Sequence, residues 1–197
     1  EDIQVRPEDL QFKGEADDRG VVKGNRLEGE WDETVAGVVL LWEDNNGRKW
    51  MVAGHHRLDL AERNSVPRML SQVVREQDGV TLDQAKALGV ELNIKEGQGS
   101  TNDYARFFRQ SGISQEQAER RGLLARAKGR TGFVLGRFAG NDLWAAYTAG
   151  RISADKAGAI AHIGRGDERL QIVGRDRAKA LNADALRAAL RRLVRQR

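Results

Sequence analysis

The sequence predicts an α+β fold, in which a small mixed sheet in the first half is followed by a second half made only of helices. Apolar runs of strand character alternate with turn signals up to about residue 80. Beyond that point apolar residues recur at helical spacing, punctuated by Gly and Asn. A chain of 197 residues can form one sizeable domain or two small ones, and we place the boundary between residues 1–98 and 99–197.

Three strands and a surface loop are expected before residue 80. Residues 36–42, rich in Val and Leu, are typical of a buried strand, and residues 48–52 pair with them through the turn Asn45-Asn46-Gly47. Residues 66–76 form a further strand with Pro67 near its start. The stretch 5–13 predicts a short strand with a turn, and residues 17–29 a surface loop.

Capping signals place the helices. One begins after the N-cap Thr81 and extends to about Glu96, where Gly97-Gln98-Gly99 ends it, and the next begins at Ser100 or Thr101. The remaining helices are predicted over 115–121, 130–138, 141–149, 153–163, 168–180 and 183–195.

The segment that joins the strand 48–52 to the following helix carries Gly54-His55-His56-Arg57. A helix start presents unpaired N–H groups and the positive end of the helix dipole. Gly54 lets the backbone approach a ligand, while the arginine and the two histidines add donors. The combination indicates a phosphate site, although four residues alone also fit polar surface side chains at a helix entry.

This box, followed by Leu58-Asp59-Leu60-Ala61, resembles the Gly-Glu-Arg-Arg box of the ParB family and the Gly-Cys-His-Arg box of sulfiredoxins, a superfamily in which it binds nucleotide phosphates. The segment 93–99 and the opening Gln11-Phe12-Lys13 are similar to the ParB-like domain of polyvalent proteins from phages and other mobile elements. The resemblance covers nearly the whole chain. It implies a pocket for CTP or ATP phosphates, with Mg²⁺ as a further cofactor. Its residues would be Gly54, His55, His56, Arg57, Asn93, Gln11 and Lys13.

Two positions depart from the pattern of the CTP-hydrolysing ParB proteins. Leu92 stands where they hold the metal with Glu, and Glu96 where an Arg helps to hold the triphosphate. Leu cannot bind Mg²⁺, and Glu repels phosphate unless a cation lies between them. Glu96 is therefore a candidate metal ligand or a surface charge. His55 replaces the sulfiredoxin nucleophile, which excludes that chemistry.

An enzyme on the same fold, either a metal-dependent nuclease or a small-molecule kinase, is the alternative hypothesis. Its candidate catalytic residues are His56, Asp59 and Glu96, of which Asp59 fits a structural cap or ion pair equally well.

Charge is distributed unevenly along the chain. Residues 1–100 carry 13 Lys and Arg against 20 Asp and Glu, whereas residues 101–197 carry 20 against 9. The basic half is expected to meet DNA, unless its charges only line a solvated face. Residues 115–121 and 130–138 predict a helix-turn-helix around Leu123-Leu124-Ala125. Its second helix would present Lys128, Arg130, Thr131 and Arg137, although Gly129 and Gly132 weaken that helix by ~1 kcal/mol each.

Composition limits the remaining possibilities. Without cysteine the chain forms no disulfide, and it has no signal peptide and no apolar run of membrane-spanning length, so we expect a cytoplasmic location and no membrane partner. The basic amphipathic segment 183–195 is expected to pack on earlier helices, to form a homodimer seam or to lead into a further domain. Since the chain does not begin with Met, we expect it to be part of a larger polypeptide.

Overall fold

The apolar runs of the first half form a four-stranded mixed sheet in the computed structural model, which describes residues 3–10, 13 and 16–196. Its strands are β1 (Ile3–Gln4), β2 (Val39–Glu43), β3 (Lys49–Ala53) and β4 (Ser71–Arg75), in the order β1-β3-β2-β4. The central hairpin β2–β3 is antiparallel, and each outer strand is parallel to its neighbour. The predicted hairpin is therefore the centre of the sheet.

Both faces of the sheet are buried, which explains why its central strands are continuous apolar runs. One face packs against α1 (Pro7–Leu10) and α4 (Leu82–Glu96), and the other against α3 (His55–Arg63). The first face is built from Leu40, Trp42, Trp50 and Val52. The second is built from Val39, Leu41 and Met51. This sheet and its helices belong to the first compact unit, residues 1–96.

The second unit, residues 97–197, is entirely helical in its described part. Its helices are α5 (Thr101–Ser111), α6 (Gln115–Arg120), α7 (Ala127–Phe138), α8 (Asn141–Thr148), α9 (Ala154–Ile163), α10 (Glu168–Arg177) and α11 (Ala183–Arg195). Leu135, Leu143, Ile160 and Leu186 are among the buried residues of its core. The predicted α+β fold, a small mixed sheet followed by helices, is confirmed.

Close packing of α5 and α7 gives the glycines of α7 a role that propensity does not reveal. A Cβ at Gly132 would lie 2.7 Å from Tyr104 Cβ, and one at Gly136 would lie 2.5 Å from the carbonyl oxygen of Ala105. The two backbones can approach this closely only because neither position carries a side chain. The lost helix propensity is the cost of that contact.

Several predicted boundaries are wrong. The stretch 5–13 does not form a strand: Pro7 begins α1, where its fixed φ and lost N–H are tolerated, and Glu8 and Asp9 favour a helix start. Gln11 and Phe12 lie outside the described residues. The strand expected over 66–76 is shortened to β4, since Pro67 cannot donate to a ladder, and residues 76–78 form a 3-10 turn.

Two helices also differ from their predicted extents. The second helix of the predicted pair begins at Ala127, three residues earlier than expected, because packing against α5 outweighs the low propensity of Gly129. Residues 33–36, assigned in part to the strand of β2, form a short helix α2 (Glu33–Ala36), which Asp32 caps by accepting a hydrogen bond from the Thr34 N–H.

Candidate functional sites

The turn from β3 into α3 requires a glycine. Gly54 has φ +115°, and a Cβ there would lie 2.5 Å from Val39 Cγ1 on the adjacent strand. Since Gly54 has no side chain, it cannot cap the first N–H groups of α3. The sheet thus delivers the chain to an uncapped helix start at the position where the sequence predicts the phosphate site.

His55, the first residue of α3, is buried, with 4% of its surface exposed. Its imidazole lies against Gly20: a Cβ at Gly20 would lie 2.3 Å from His55 Cδ2. Among the described residues its Nε2 has no hydrogen-bond partner. Burial, followed by the charges of His56 and Lys13, lowers the pKa of His55 to about 4, so the imidazole is neutral at pH 7.

His56 is half-buried, yet both of its ring nitrogens are inaccessible and lack a hydrogen-bond partner in the described part of the chain. Burial lowers the pKa of His56, and the charge of Lys13 lowers it further. Lys13 is therefore near enough to the box to act on both imidazoles. Together the two histidines place three unsatisfied nitrogens at the start of α3.

Arg57 is tied to the sheet. Its Nη1 donates to the carbonyl oxygen of Val38 over 3.0 Å, just before β2 begins. The structure thus fixes the guanidinium beside the entry of β2. Gln11, the other residue expected to close the site, lies outside the described residues.

Asp59, one turn after the box, is the centre of an ion-pair network. Its Oδ1 accepts a 2.7 Å hydrogen bond from Arg26 Nη2, and its Oδ2 accepts from Nε of Arg26 and Nε of Arg63, both at 3.0 Å. The hydrogen bond from Arg26 is the main reason why the pKa of Asp59 falls to about 2. A carboxylate so occupied is a poor proton acceptor, and its arrangement is that of a structural ion pair.

The loop between Asp17 and Trp31 runs along α3, a packing that the sequence does not reveal. Arg19 pairs with Glu62, Arg26 with Asp59, and the Trp31 N–H donates to Asn64 Oδ1 over 3.2 Å. Gly20 follows from the same packing. These partners are 33 to 43 positions apart in the chain, and no local pattern in the sequence marks them.

The remaining box candidates lie on α4. Asn93 is half-buried and its Nδ2 donates to the Gly89 carbonyl oxygen over 2.7 Å, within its own helix. Glu96 is the exposed last residue of α4. Within the described ranges, no three His, Asp or Glu side chains are grouped so that they could hold a metal ion.

The predicted helix-turn-helix corresponds to α6, the turn residues 121–126 and α7. Arg130 and Arg137 are exposed and seven residues apart, so they lie on one side of α7, whereas Lys128 is nine residues from Arg137 and on the opposite side. Thr131 faces the bundle: a Cβ at Gly158 of α9 would lie 3.3 Å from its Cγ2. The four candidate DNA contacts therefore do not share one face.

The arginine on this helix nearest the turn is held by it. Arg130 Nη1 donates to the carbonyl oxygens of Leu124 and Ala125, over 3.0 and 2.7 Å. Lys128 Nζ lies 3.4 Å from the Gly99 carbonyl oxygen. Arg137 remains an exposed cation on the surface of α7.

The fold is similar to that of a DNA-partitioning protein of known structure. It matches the C-terminally truncated chromosome-partitioning protein ParB from Caulobacter crescentus, solved in complex with the centromeric parS site, with a TM-score of 0.56 over 96% of this chain and 95% of that chain. The two sequences are 14% identical, so the likeness concerns the fold. No family model and no curated protein matches the sequence.

This likeness defines the class of fold as ParB-like α+β. In the described part of the chain, no helix has the length and apolar character needed to cross a membrane.

Proposed function

We propose that this chain is a ParB-like DNA-associated module, whose basic helical unit binds DNA and whose box at Gly54–Arg57 binds nucleotide phosphates. The observation that carries the proposal is the ParB-like fold, which extends over 96% of the chain and whose solved counterpart holds the parS site. The excess of 11 basic charges in residues 101–197 favours a polyanionic partner for the helical unit.

The DNA contacts are assigned to the exposed cations of α7. Arg137 and Arg130 share one side of this helix, and Lys128 extends from its first turn, the part of a recognition helix that meets base edges. Thr131 contributes to packing instead, because its methyl group lies against α9. Arginine and lysine side chains in this position neutralise phosphates and release counterions.

The salt dependence of DNA binding tests this assignment. Anisotropy of a labelled duplex is measured against salt for the protein and for Lys128→Gln, Arg137→Gln and Arg191→Gln, the last being the same charge change on the exposed surface of α11. Each α7 substitution should reduce the slope of log affinity against log salt by about 1. Affinity that does not weaken with salt, or an equal effect of Arg191→Gln, contradicts DNA binding through α7.

The phosphate proposal rests on unsatisfied polar atoms. One nitrogen of His55 and two of His56 are buried without a partner in the described part of the chain, at a helix start that no side chain caps. Leaving a buried polar group unpaired costs about 1–3 kcal/mol. A phosphate at this helix start would accept hydrogen bonds from the imidazoles and the backbone N–H groups, and Lys13 would add a favourable charge.

The nucleotide and its metal are separate questions. The residues described here fit a phosphate but not a Mg²⁺ site, because Glu96 is a single exposed carboxylate and no group of possible ligands accompanies it. We therefore assign the phosphate-binding role to the box and no catalytic step to a metal. CTP and ATP remain the nucleotides that the resemblance implies, and a place within the mobile-element subfamily is part of the same proposal.

Thermal shifts with CTP, ATP, ADP and inorganic phosphate test the box. A ligand that binds only the folded state stabilises it by about 2.7 kcal/mol at a hundred times its Kd. His56→Asn should abolish the shift, whereas the exposed His162→Asn should retain it. Flat shifts with all four ligands contradict the phosphate proposal without affecting the DNA proposal, which is measured separately.

The enzyme hypothesis lacks a supporting arrangement among the described residues. Asp59, one of its candidate groups, is committed to Arg26 and Arg63, and Glu96 is an exposed helix end. His56 remains the one candidate whose ring is unpartnered. Incubation with plasmid and Mg²⁺ or Mn²⁺ beside His56→Asn tests it, and nicking that the substitution abolishes would favour a nuclease.

A further inference from the structure

A groove in the helical unit lies outside the phosphate box. Its volume is about 430 Å³, within the range of small-molecule sites. The walls come from α6, from α7 and the turn before it, and from the end of α9. Leu124, Phe133, Val134 and Phe138 give it an apolar floor.

Two arginines stand over this floor in fixed positions. Arg130 is held by its hydrogen bonds to the Leu124 and Ala125 carbonyl oxygens, and the guanidinium carbon of Arg165 lies 3.4 Å from the centroid of the Phe138 ring. The exposed His162 lines the same groove. Guanidinium groups held in place lose little entropy when they bind an anion.

The opposite wall limits the charge of a suitable ligand. Glu119 of α6 also lines the groove, and its Oε1 accepts a 2.8 Å hydrogen bond from Gln115. Two arginines and one glutamate leave a small positive excess around an apolar recess. A single carboxylate matches that excess, whereas a highly charged polyphosphate would meet Glu119 and cover none of the apolar floor.

We propose that this groove is a binding site for a small organic acid, with a flat apolar body on Phe133, Val134 and Phe138 and one carboxylate between Arg130 and Arg165. Carboxylates pair with guanidinium groups through parallel hydrogen bonds. The apolar body would displace water from an aromatic floor, which supplies the remaining affinity. A DNA phosphate would satisfy the arginines but leave the floor exposed, so we assign the groove to a small molecule.

Ligand binding would also reach DNA through Arg130. This consequence rests on the proposed function, since Arg130 shares the exposed side of α7 with Arg137. A carboxylate on its guanidinium neutralises a charge that would otherwise face a phosphate. The ligand is therefore expected to weaken DNA binding.

The probes are 2-naphthoate and its neutral analogue 2-naphthalenemethanol, titrated by calorimetry and by amide chemical shifts without DNA. Naphthoate should bind more tightly, with shifts at the turn 121–126, α7 and Arg165. Arg165→Gln should weaken it by about tenfold, the equivalent of one charge-assisted hydrogen bond, and Arg165→Lys by less. Arg191→Gln should leave it unchanged.

Three results would overturn the proposal. These are the absence of naphthoate binding, equal affinity of the neutral analogue with no effect of Arg165→Gln, and shifts confined to other surfaces. Thermal melting of each variant separates loss of folding from loss of binding, and Arg165→Lys retains the charge if Arg165→Gln destabilises the unit. Naphthoate that binds the groove but leaves DNA affinity unchanged would refute only the link to DNA.

Discussion

The burial of His55 predicts that the stability of the folded chain falls in mildly acidic solution. An unperturbed imidazole has a pKa near 6.5, whereas burial lowers the pKa of His55 to about 4. The unfolded chain therefore binds a proton in a range where the folded chain does not. His55 leaves stability unaffected above about pH 7 and reduces it as the pH falls through 6.5 towards 4.

The two pKa values set the size of the effect. Between pH 7 and pH 5 the difference in proton binding amounts to about 2 kcal/mol, and it approaches about 3 kcal/mol below pH 4. The lowered pKa values of Asp44 and Asp59, each about 2, act below about pH 4 and leave this window to the histidines. Lowering of the His56 pKa adds in the same direction.

Urea denaturation at pH 7 and pH 5 measures this loss. His55→Gln should remove most of the difference between the two pH values, even if it lowers stability at both, because glutamine does not titrate. His162→Gln removes a histidine that is exposed and should retain the full pH dependence. The reasoning is refuted if His55→Gln loses as much stability between pH 7 and pH 5 as the unaltered chain.

Three further substitutions test individual contacts by urea denaturation. Asp59→Asn should cost about 1–3 kcal/mol, since it weakens the hydrogen bonds that join Arg26 and Arg63 to α3. Gly136→Ala should cost about 1–2 kcal/mol net, because the Cβ would meet the Ala105 carbonyl oxygen and this overpacking outweighs the gain in helix propensity. Gln171→Leu should cost about 3 kcal/mol, since its amide bonds the Gly140 N–H and the carbonyl oxygens of Phe138 and Gly164.

Matched controls give these values their meaning. Glu62→Gln breaks an exposed ion pair with Arg19 and should cost less than about 1 kcal/mol. Gly24→Ala adds a Cβ with nothing within 4 Å and should be close to neutral. Equal losses from Asp59→Asn and Glu62→Gln, or from Gly136→Ala and Gly24→Ala, would contradict the roles assigned to burial and close packing.

Local signals in the sequence located much of the helical half. Ser100 and Asp103 form a reciprocal capping box at α5, and Ser114 and Gln117 form another at α6, where the sequence predicts helix starts. These signals work because capping involves residues only three positions apart. The turn 45–47 and the helix start at the box are local in the same sense.

Longer-range contacts were beyond such reasoning. The pairing of Arg26 with Asp59 and the approach of Gly20 to His55 join residues separated by more than thirty positions. The glycines of α7 look like weak points in one helix until α5 is placed against them. For the same reason Thr131, which faces α9, was grouped with the DNA contacts.

The sequence by itself determined the order of strands and helices, the position of the box at a helix start and the accumulation of positive charge in the second half. Periodicity, turn residues and charge are properties of neighbouring positions, and they survive without a fold. Only the tertiary structure decided which box nitrogens are buried and unpaired, that Asp59 serves an ion pair, and which arginines of α7 are exposed. Burial and pairing are set by residues far along the chain, and the packing of the whole unit selects them.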